Sequence, residues 1–249
     1  MKKLIVSAFI CLLPVSVFAI AGFGLNVAYD QVIVNAGSDS RVHSPIVGPA
    51  TEVRILRNGF ENSAGVGGFL YLDVIPYIDI EVDFQGVGNI YQFDFQNYVD
   101  ISLDDDFDDD EMVVNTGLTD FAWARGSVYY TVRTNLLDLS VPVLGGVDLQ
   151  AGAGMNQHIG APFMSLSLME SLLGEDLFEE FDEEAMANKI LDYMEENSET
   201  VQGFHVQAGL QFKILVLTAL LNVRYTIVED LYPDISAFPS INLNIGLGI

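Results

Sequence analysis

The chain has 249 residues and a formal charge of −25, with 10 Lys and Arg against 35 Asp and Glu. Because contacts to phosphate groups need Lys and Arg, this balance argues against nucleic acid or anionic lipid head groups as partners. The length fits one domain, and half of the residues are hydrophobic, with a mean hydropathy of +0.34. No segment offers about eighteen uninterrupted apolar residues, so helical membrane spans are not expected.

The N-terminus has the pattern of a secretory signal peptide. Lys2 and Lys3 precede an apolar run from Leu4 to Val17, and Ala19 is a small residue at a plausible cleavage point. Cys11 lies inside this run, so cleavage after Ala19 leaves a mature chain without cysteine and without disulfides. The predicted domains are a signal peptide at 1–19 and one β-barrel domain at 20–249.

Strict alternation of apolar and polar residues is the main structural signal of the mature chain. It runs through Ile78–Gln85, Leu217–Ile227 and Ile241–Ile249, with Leu220 as an exception. A period of two predicts extended strands with one apolar and one polar face. Eight strands are predicted in total: Ala21–Asn35, Ser63–Val74, Ile78–Phe93, Phe121–Thr134, Leu139–Met155, Val201–Phe212, Leu217–Val228 and Ala237–Ile249.

The predicted connections alternate in length. Short ones are expected at Ile75–Tyr77, Asn135–Pro142 and Lys213–Val216, and longer ones at Ala36–Asn62, Asp94–Asp120, Asn156–Thr200 and Glu229–Ser236. Short and long turns at opposite ends of an even-numbered antiparallel meander are typical of transmembrane β-barrels. The fold class predicted is all-β: an eight-stranded antiparallel up-and-down transmembrane β-barrel.

The alternation also predicts which side chains face the lumen. The polar set is Asn26, Asp73, Asp79, Glu81, Asp83, Gln85, Arg125, Ser127, Thr131, Arg133, Asp148, Gln150, His205, Gln207, Gln211, Thr218, Asn222, Arg224, Thr226, Asn242 and Asn244. The outward set is Phe23, Leu25, Val27, Leu70, Leu72, Ile78, Ile80, Val82, Val128, Val132, Val147, Leu149, Val206, Leu210 and the final Ile/Leu series. A closed barrel of this kind satisfies its backbone hydrogen bonds internally, as lipid requires.

Charges inside a barrel need partners. The acids of the third strand, Asp79, Glu81 and Asp83, are predicted to face Arg125 and Arg133 on the fourth strand, its hairpin neighbour. Aromatic residues are predicted to form interfacial belts where the strands leave the bilayer. The belt residues are Tyr29, Tyr91, Phe93, Phe121, Trp123, Phe204, Tyr225 and Phe238.

These features resemble the eight-stranded outer-membrane barrels of the OmpA-like and opacity-type superfamily. The resemblance covers the signal peptide, the meander from Ala21 to Ile249 and the apolar closing strand. It implies the cell outer membrane of a Gram-negative-type bacterium, with membrane lipid and the barrel-assembly machinery as partners. Members usually end on an aromatic residue, whereas this chain ends on Ile249. The resemblance transfers no active site.

Two predicted outer loops have unusual compositions. Residues 104–111 form an almost continuous acidic run, which is either a solvated loop or a site for divalent cations such as calcium, or for an extracellular partner. Pro162–Asn197 has apolar residues at three- and four-residue steps, which predicts two amphipathic helices broken at Gly174. This helical insertion in the third extracellular loop is a lid, a partner site or a packed cap.

No catalytic, cofactor or metal residues are predicted. The mature histidines are His43, His158 and His205, and Ser165 and Ser167 lie within loop reach, but no spacing links them. His205 is expected to be a hydrogen-bonded lumen residue. The expected function is therefore non-enzymatic, structural or surface-interactive in the cell envelope. The alternatives are a narrow pore or carrier for small or hydrophobic solutes, and a soluble lipocalin-like ligand binder with an apolar interior.

Overall fold

The computed structural model describes residues 21–43, 50–75, 78–99, 111–115, 117–139, 145–173, 189, 192–193 and 196–248. The described residues form an all-β antiparallel sheet, with one helix inserted between two of its strands and a few helical residues near 189–197. Its elements are β1 Ala21–Val34, β2 Gly37–His43, β3 Thr51–Arg57, β4 Phe60–Ile75, β5 Ile78–Val99, β6 Glu111–Asn115, β7 Thr119–Asp138, β8 Gly146–Gly160, α1 Leu166–Leu173, β9 Glu199–Ile214, β10 Leu217–Tyr232 and β11 Ile235–Gly248.

The eight longest strands pair in a closed ring. Going around it, the order is β1, β4, β5, β7, β8, β9, β10 and β11, and β11 returns to β1 in the register Gly22 opposite Gly248. Each of these strands therefore has hydrogen-bonded neighbours on both sides, and the ring has no free edge. Because the ring is closed, successive side chains of each strand point alternately to the inside and to the outside of the barrel.

β5 is longer than predicted and carries a second, smaller sheet beyond the ring. Its far half pairs with β3 from Phe93 to Val99 on one side and with β6 from Gln96 to Val99 on the other. β2 then pairs with β3. The segments Ala36–Asn62 and Asp94–Asp120 were predicted as connections, but the described parts include these strands. Alternation continues past Phe93, since Phe95 is buried between half-exposed Asp94 and Gln96.

Several predicted boundaries are wrong: β7 runs to Asp138 and β8 to Gly160, past the predicted ends at Thr134 and Met155. The last connection is not long: β10 runs to Tyr232, and a tight turn at 233–234 leads directly into β11, with Asp234 at φ 59°. β8 begins at Gly146 rather than Leu139, directly after Gly145 at φ 128°. A residue with such a φ interrupts an extended strand, which fits a strand that begins at Gly146.

α1 lies in the connection between β8 and β9. Ser165 caps its N-terminus, because the Ser165 Oγ accepts a hydrogen bond from the backbone N–H of Leu168 at 3.2 Å. The Asp39 carboxylate of β2 accepts from the N–H of Leu166 at 3.1 Å. Most of the second predicted helix lies outside the described residues. Within the described residues, no helix combines the length and apolarity needed to cross a bilayer, a finding that has no bearing on β-barrels.

Candidate functional site: the barrel lumen and its apolar mouth

The predicted inside and outside faces are confirmed by the burial of individual side chains. On β1, Leu25 is 74% exposed, Asn26 1% and Val27 54%. The predicted lumen residues are all buried, except that Asp73 is half-buried. The described residues of the predicted outer set are exposed, except that Val82 and Val128 are half-buried. A soluble lipocalin-like barrel would need the reverse arrangement, and this alternative is therefore wrong.

Arg133 forms the predicted ion pairs with the acids of β5. It lies directly opposite Asp79 in the β5–β7 register. Its Nε is 3.3 Å from an Asp79 carboxylate oxygen, and its Nη1 donates a hydrogen bond to Glu81 at 2.6 Å. All three side chains are buried, so the pairing offsets the desolvation of each charge.

Arg224 of β10 forms a second buried ion pair across the lumen. Its guanidinium donates to the Asp83 carboxylate, and its Nε donates to the Gln207 side chain at 2.9 Å. Asp83 also accepts from Asn244 at 3.1 Å, and Gln207 donates to Glu81 at 3.1 Å. The prediction that Asp83 pairs with an arginine of the neighbouring strand is wrong, because the barrel closure brings β10 opposite β5.

Arg125 also differs from the prediction. It pairs with Asp30 of β1, donating from Nη2 to the carboxylate at 2.7 Å, with both side chains inaccessible to solvent. Asp30 was not among the predicted lumen residues. Its position could have been read from the sequence, because it has the same parity as Asn26 and Val32, which both point inward.

The two lumen histidines take part in side-chain hydrogen bonds. The His158 ring nitrogens contact the Ser127 Oγ at 2.8 Å and the Asn156 side-chain oxygen at 2.9 Å. A His205 nitrogen contacts the Thr131 Oγ1 at 2.9 Å, as expected for a hydrogen-bonded lumen residue. Both rings stand edge-on to buried Tyr129. His158 is therefore a lumen residue and does not contact Ser165 or Ser167.

The end of the lumen near the long connections is apolar instead of polar. Four residues of the predicted aromatic belt, Tyr91, Phe93, Trp123 and Phe238, are buried inside the barrel, so the belt prediction is wrong for them. Tyr29, Phe204 and Tyr225 are exposed on the outer face as predicted, and Phe121 is half-buried. Strand parity already places Tyr91, Phe93 and Trp123 on the lumen side, and it outweighs the usual interfacial preference of aromatic residues.

We call this buried group the mouth cluster. It is formed by Val32, Val34, Ile55, Phe60, Tyr91, Phe93, Phe95, Trp123, Met164, Leu166, Leu168, Met169, Val228, Leu231, Tyr232 and Phe238. It combines side chains of seven strands with side chains from α1 and the segment before it. The polar lumen residues are thus covered at this end by an apolar layer several side chains wide.

Phe163 lies in the segment that enters the mouth cluster. Its ring stacks at 5.7 Å from Trp123 and 6.3 Å from Phe60, and lies 6.0 Å from Tyr91. Two hydrogen bonds join this segment to the barrel wall. The Trp123 indole N–H donates to the Ala161 carbonyl at 2.9 Å, and the Met164 N–H donates to the Tyr91 hydroxyl at 2.7 Å. These contacts hold the segment across the mouth.

Aromatic rings also occupy the lumen near the short turns. Tyr71 and Phe69 stack with ring centroids 6.3 Å apart, and Arg133 lies 5.1 Å from the Tyr71 ring. Gly22 of β1 makes room for this arrangement, since a Cβ there would lie 2.1 Å from the Tyr71 ring. Side chains therefore fill the barrel interior near both of its ends.

The described residues contain no group of three or more His, Cys, Asp or Glu side chains able to hold a metal ion. The acidic run at 104–111, considered above for divalent cations, lies outside the described residues except for the backbone of Glu111.

Comparisons with known proteins find similarity in overall shape alone. No model of a known family matches the chain. A search of curated proteins finds no match either. Solved structures that match are the N-terminal β-barrel domain of OprF from Pseudomonas aeruginosa (7% identity, 93% of this chain, 99% of that chain, TM-score 0.39), OprG from the same organism (10%, 93%, 97%, 0.40) and the attachment invasion locus protein Ail of Yersinia pestis (10%, 92%, 97%, 0.34).

Proposed function

We propose that this chain is a non-enzymatic β-barrel protein of the bacterial outer membrane, with a structural or surface-interaction role in the cell envelope. A signal peptide at 1–19 directs its export, and the barrel-assembly machinery inserts it. Outer-membrane lipid contacts the aliphatic outer face. The long connections, the β2–β3 hairpin and the acidic loops extend from the barrel on the outside of the cell.

The observation that carries this proposal is that charged and polar side chains are enclosed in the lumen while aliphatic side chains cover the outer wall. Ion pairs such as Arg224–Asp83 and Arg133–Glu81 are enclosed, while Leu25, Val206 and Ile245 are more than half exposed. Contiguous exposed apolar patches of more than a few hundred Å² are rare on soluble monomers. A closed ring of paired strands with an apolar outside is the arrangement that a bilayer accepts.

Cysteine substitution on β11 tests the proposal. In proteoliposomes, a fluorophore on Leu243→Cys is expected to contact the acyl chains and to be quenched by nitroxide-labelled lipid. The thiol of Asn244→Cys faces the lumen, where Asn244 is fully buried among hydrogen-bonded side chains, and is expected to resist labelling in the folded barrel. Equal labelling at the two positions, or release of the native protein from membranes by carbonate, would contradict membrane insertion.

A carrier for hydrophobic solutes is the second candidate, and the mouth cluster favours it over an open pore. The interior near both ends is filled by side chains, so steady diffusion of ions through the barrel is not expected. Planar-bilayer recordings distinguish an open pore from a closed structural barrel. A stable conductance in the native protein would support the pore and oppose the closed barrel.

A further inference from the structure

β10 is bounded by two tight turns that share one backbone conformation. At the short-turn end of the barrel, Leu215 lies between β9 and β10 with φ 55°. At the opposite end, Asp234 lies between β10 and β11 with φ 59°. Both residues occupy the left-handed region, which is unfavourable for side chains other than those of Asn and Asp. The chain thus places an aspartate in this conformation at one end of β10 and a leucine at the other.

Leu215 lies at the centre of an apolar turn. Its side chain is 76% exposed, and its neighbours Ile214, Val216 and Leu217 are all more than half exposed. Turns that face water are usually built from Gly, Asn, Asp, Ser or Pro, which suit the backbone angles of a turn and are compatible with solvent. Leucine has neither property, so an exposed leucine in this conformation indicates apolar surroundings.

The apolar turn is part of a larger exposed surface along the short-turn rim. Leu139, which follows β7, donates its backbone N–H to the Val147 carbonyl of β8 at 3.1 Å, and Val147 lies opposite Phe212 of β9. On the other side of the turn, Leu217 lies opposite Leu247 of β11. The surface therefore extends over neighbouring strands. We call it the rim patch and define it by Leu139, Val147, Ile214, Leu215, Val216 and Leu217.

The rim patch continues the outer wall without a polar break. On β9, every second residue from Phe204 to Ile214 is apolar and exposed. At about 3.3 Å per residue and a tilt of about 40°, this run spans roughly 25 Å along the membrane normal, which is the height of the apolar band of outer-membrane barrels. Beyond Phe204 the outward series becomes polar at Gln202, whereas beyond Ile214 it continues into Leu215 and Val216. On this strand, the apolar surface therefore ends before the long connection but not before the short turn.

We infer that the rim patch is buried in the inner leaflet of the outer membrane, where phospholipid acyl chains cover the turn at Leu215. This arrangement depends on the membrane insertion proposed above and adds to it the depth at which the barrel lies. The short-turn end stays within the lipid, and the long connections project from the opposite surface. The turn anchors this position, because moving it into water would expose four adjacent large apolar side chains.

Matched cysteine variants at the two turns of β10 test this position. Leu215→Cys and Asp234→Cys are each labelled with a small fluorophore and reconstituted in phospholipid vesicles, with folding checked by migration on unheated gels. Lipid carrying a nitroxide close to its head group is expected to quench the label at 215 and to leave the label at 234 bright. Iodide on both sides of the vesicle is expected to quench the label at 234 several-fold more strongly than the label at 215. Val216→Cys is a second labelling position in the same turn, with 57% exposure in the native chain.

Leu215→Asn provides an independent test in which lipid and water give opposite signs. Asparagine suits the left-handed conformation better than leucine, so in water the substitution would raise the urea midpoint of unfolding. In lipid it removes apolar contacts and places an amide among acyl chains, so we expect the midpoint in vesicles to fall. Asp234→Asn is the matched control at the other turn and is expected to leave the midpoint unchanged.

Two results would overturn burial of the rim patch in lipid: equal iodide quenching of the labels at 215 and 234, or a higher urea midpoint for Leu215→Asn. Either would mean that the patch projects into water, where a second copy or another protein would have to cover it. The label at Leu243→Cys separates this failure from that of the proposed function. Lipid quenching at 243 without quenching at 215 overturns the depth alone, whereas no quenching at either position overturns membrane insertion.

Discussion

The two halves of the lumen are built on the same strands but are held together by different forces. In the polar half, buried charges such as Arg224 and Asp83 are stabilised by each other and by neighbouring amides. In the mouth cluster, Trp123, Phe60 and Phe163 are stabilised by packing. The boundary falls within two residues of β7, between Trp123 and Arg125.

This difference predicts which substitutions each half tolerates. Stability falls most when only one partner of a buried ion pair is removed, because the remaining charge keeps its desolvation penalty. When a side chain of an apolar cluster is truncated, the loss of stability grows with the volume removed, and it is larger where the surroundings relax less. The mouth cluster includes a connection that lies outside the ring of strands, whereas the polar half consists of ring strands. The polar half is therefore expected to be the more sensitive of the two to a single substitution.

The largest effect is expected for Arg224→Met. The substitution leaves the Asp83 carboxylate buried without its cation, and the free energy of unfolding is expected to fall by about 3–5 kcal/mol. Urea unfolding in lipid vesicles, followed by Trp123 fluorescence, measures the loss. The double variant Arg224→Met with Asp83→Asn removes both charges and is expected to recover part of it. A double variant as unstable as the single one would show that the pair is not the main interaction.

A smaller global effect is expected for Leu168→Ala in the mouth cluster. Leu168 is fully buried, and such truncations cost about 2–5 kcal/mol in a rigid core. Because α1 belongs to a connection, we expect the loss to appear mainly as local opening. Trp123 emission should shift to longer wavelength while the urea midpoint of the barrel stays close to the native value. An equal drop in that midpoint would show that the two halves unfold as one unit.

The smallest effect is expected at the outer surface, for Arg41→Ala. Arg41 of β2 pairs with Glu170 of α1, but both side chains are more than half exposed. Such pairs contribute about 0–1 kcal/mol and are screened by salt. Limited proteolysis of the connection after β8 should therefore speed up slightly at low ionic strength and not at high. A large change at both ionic strengths would mean that this pair, rather than the mouth cluster, holds α1 in place.

Much of the fold was accessible from local pattern. Alternation with a period of two predicts that a strand is present and which side of it each side chain occupies. This prediction is confirmed for Asn244, which is buried, and for Leu243, which is exposed. The pairing of Arg133 with Asp79 was also accessible, because it joins neighbouring strands of the ring. The pairing of Arg224 with Asp83 was not, because their positions differ by 141 residues and become neighbours only through closure. Four of the predicted belt residues lie in the lumen instead, because strand parity outweighs the general interfacial preference of aromatic residues.

By itself, the sequence determined that this chain forms amphipathic strands with a charged face and an aliphatic face, because side-chain direction alternates with every residue. Only the tertiary structure decided how the lumen is divided. Closing the ring sets which charges meet across it, as for Arg125 and Asp30, and allows one connection to place Phe163 among rings from three separate strands. Such contacts depend on distances between strands far apart in the chain, and no local pattern encodes them.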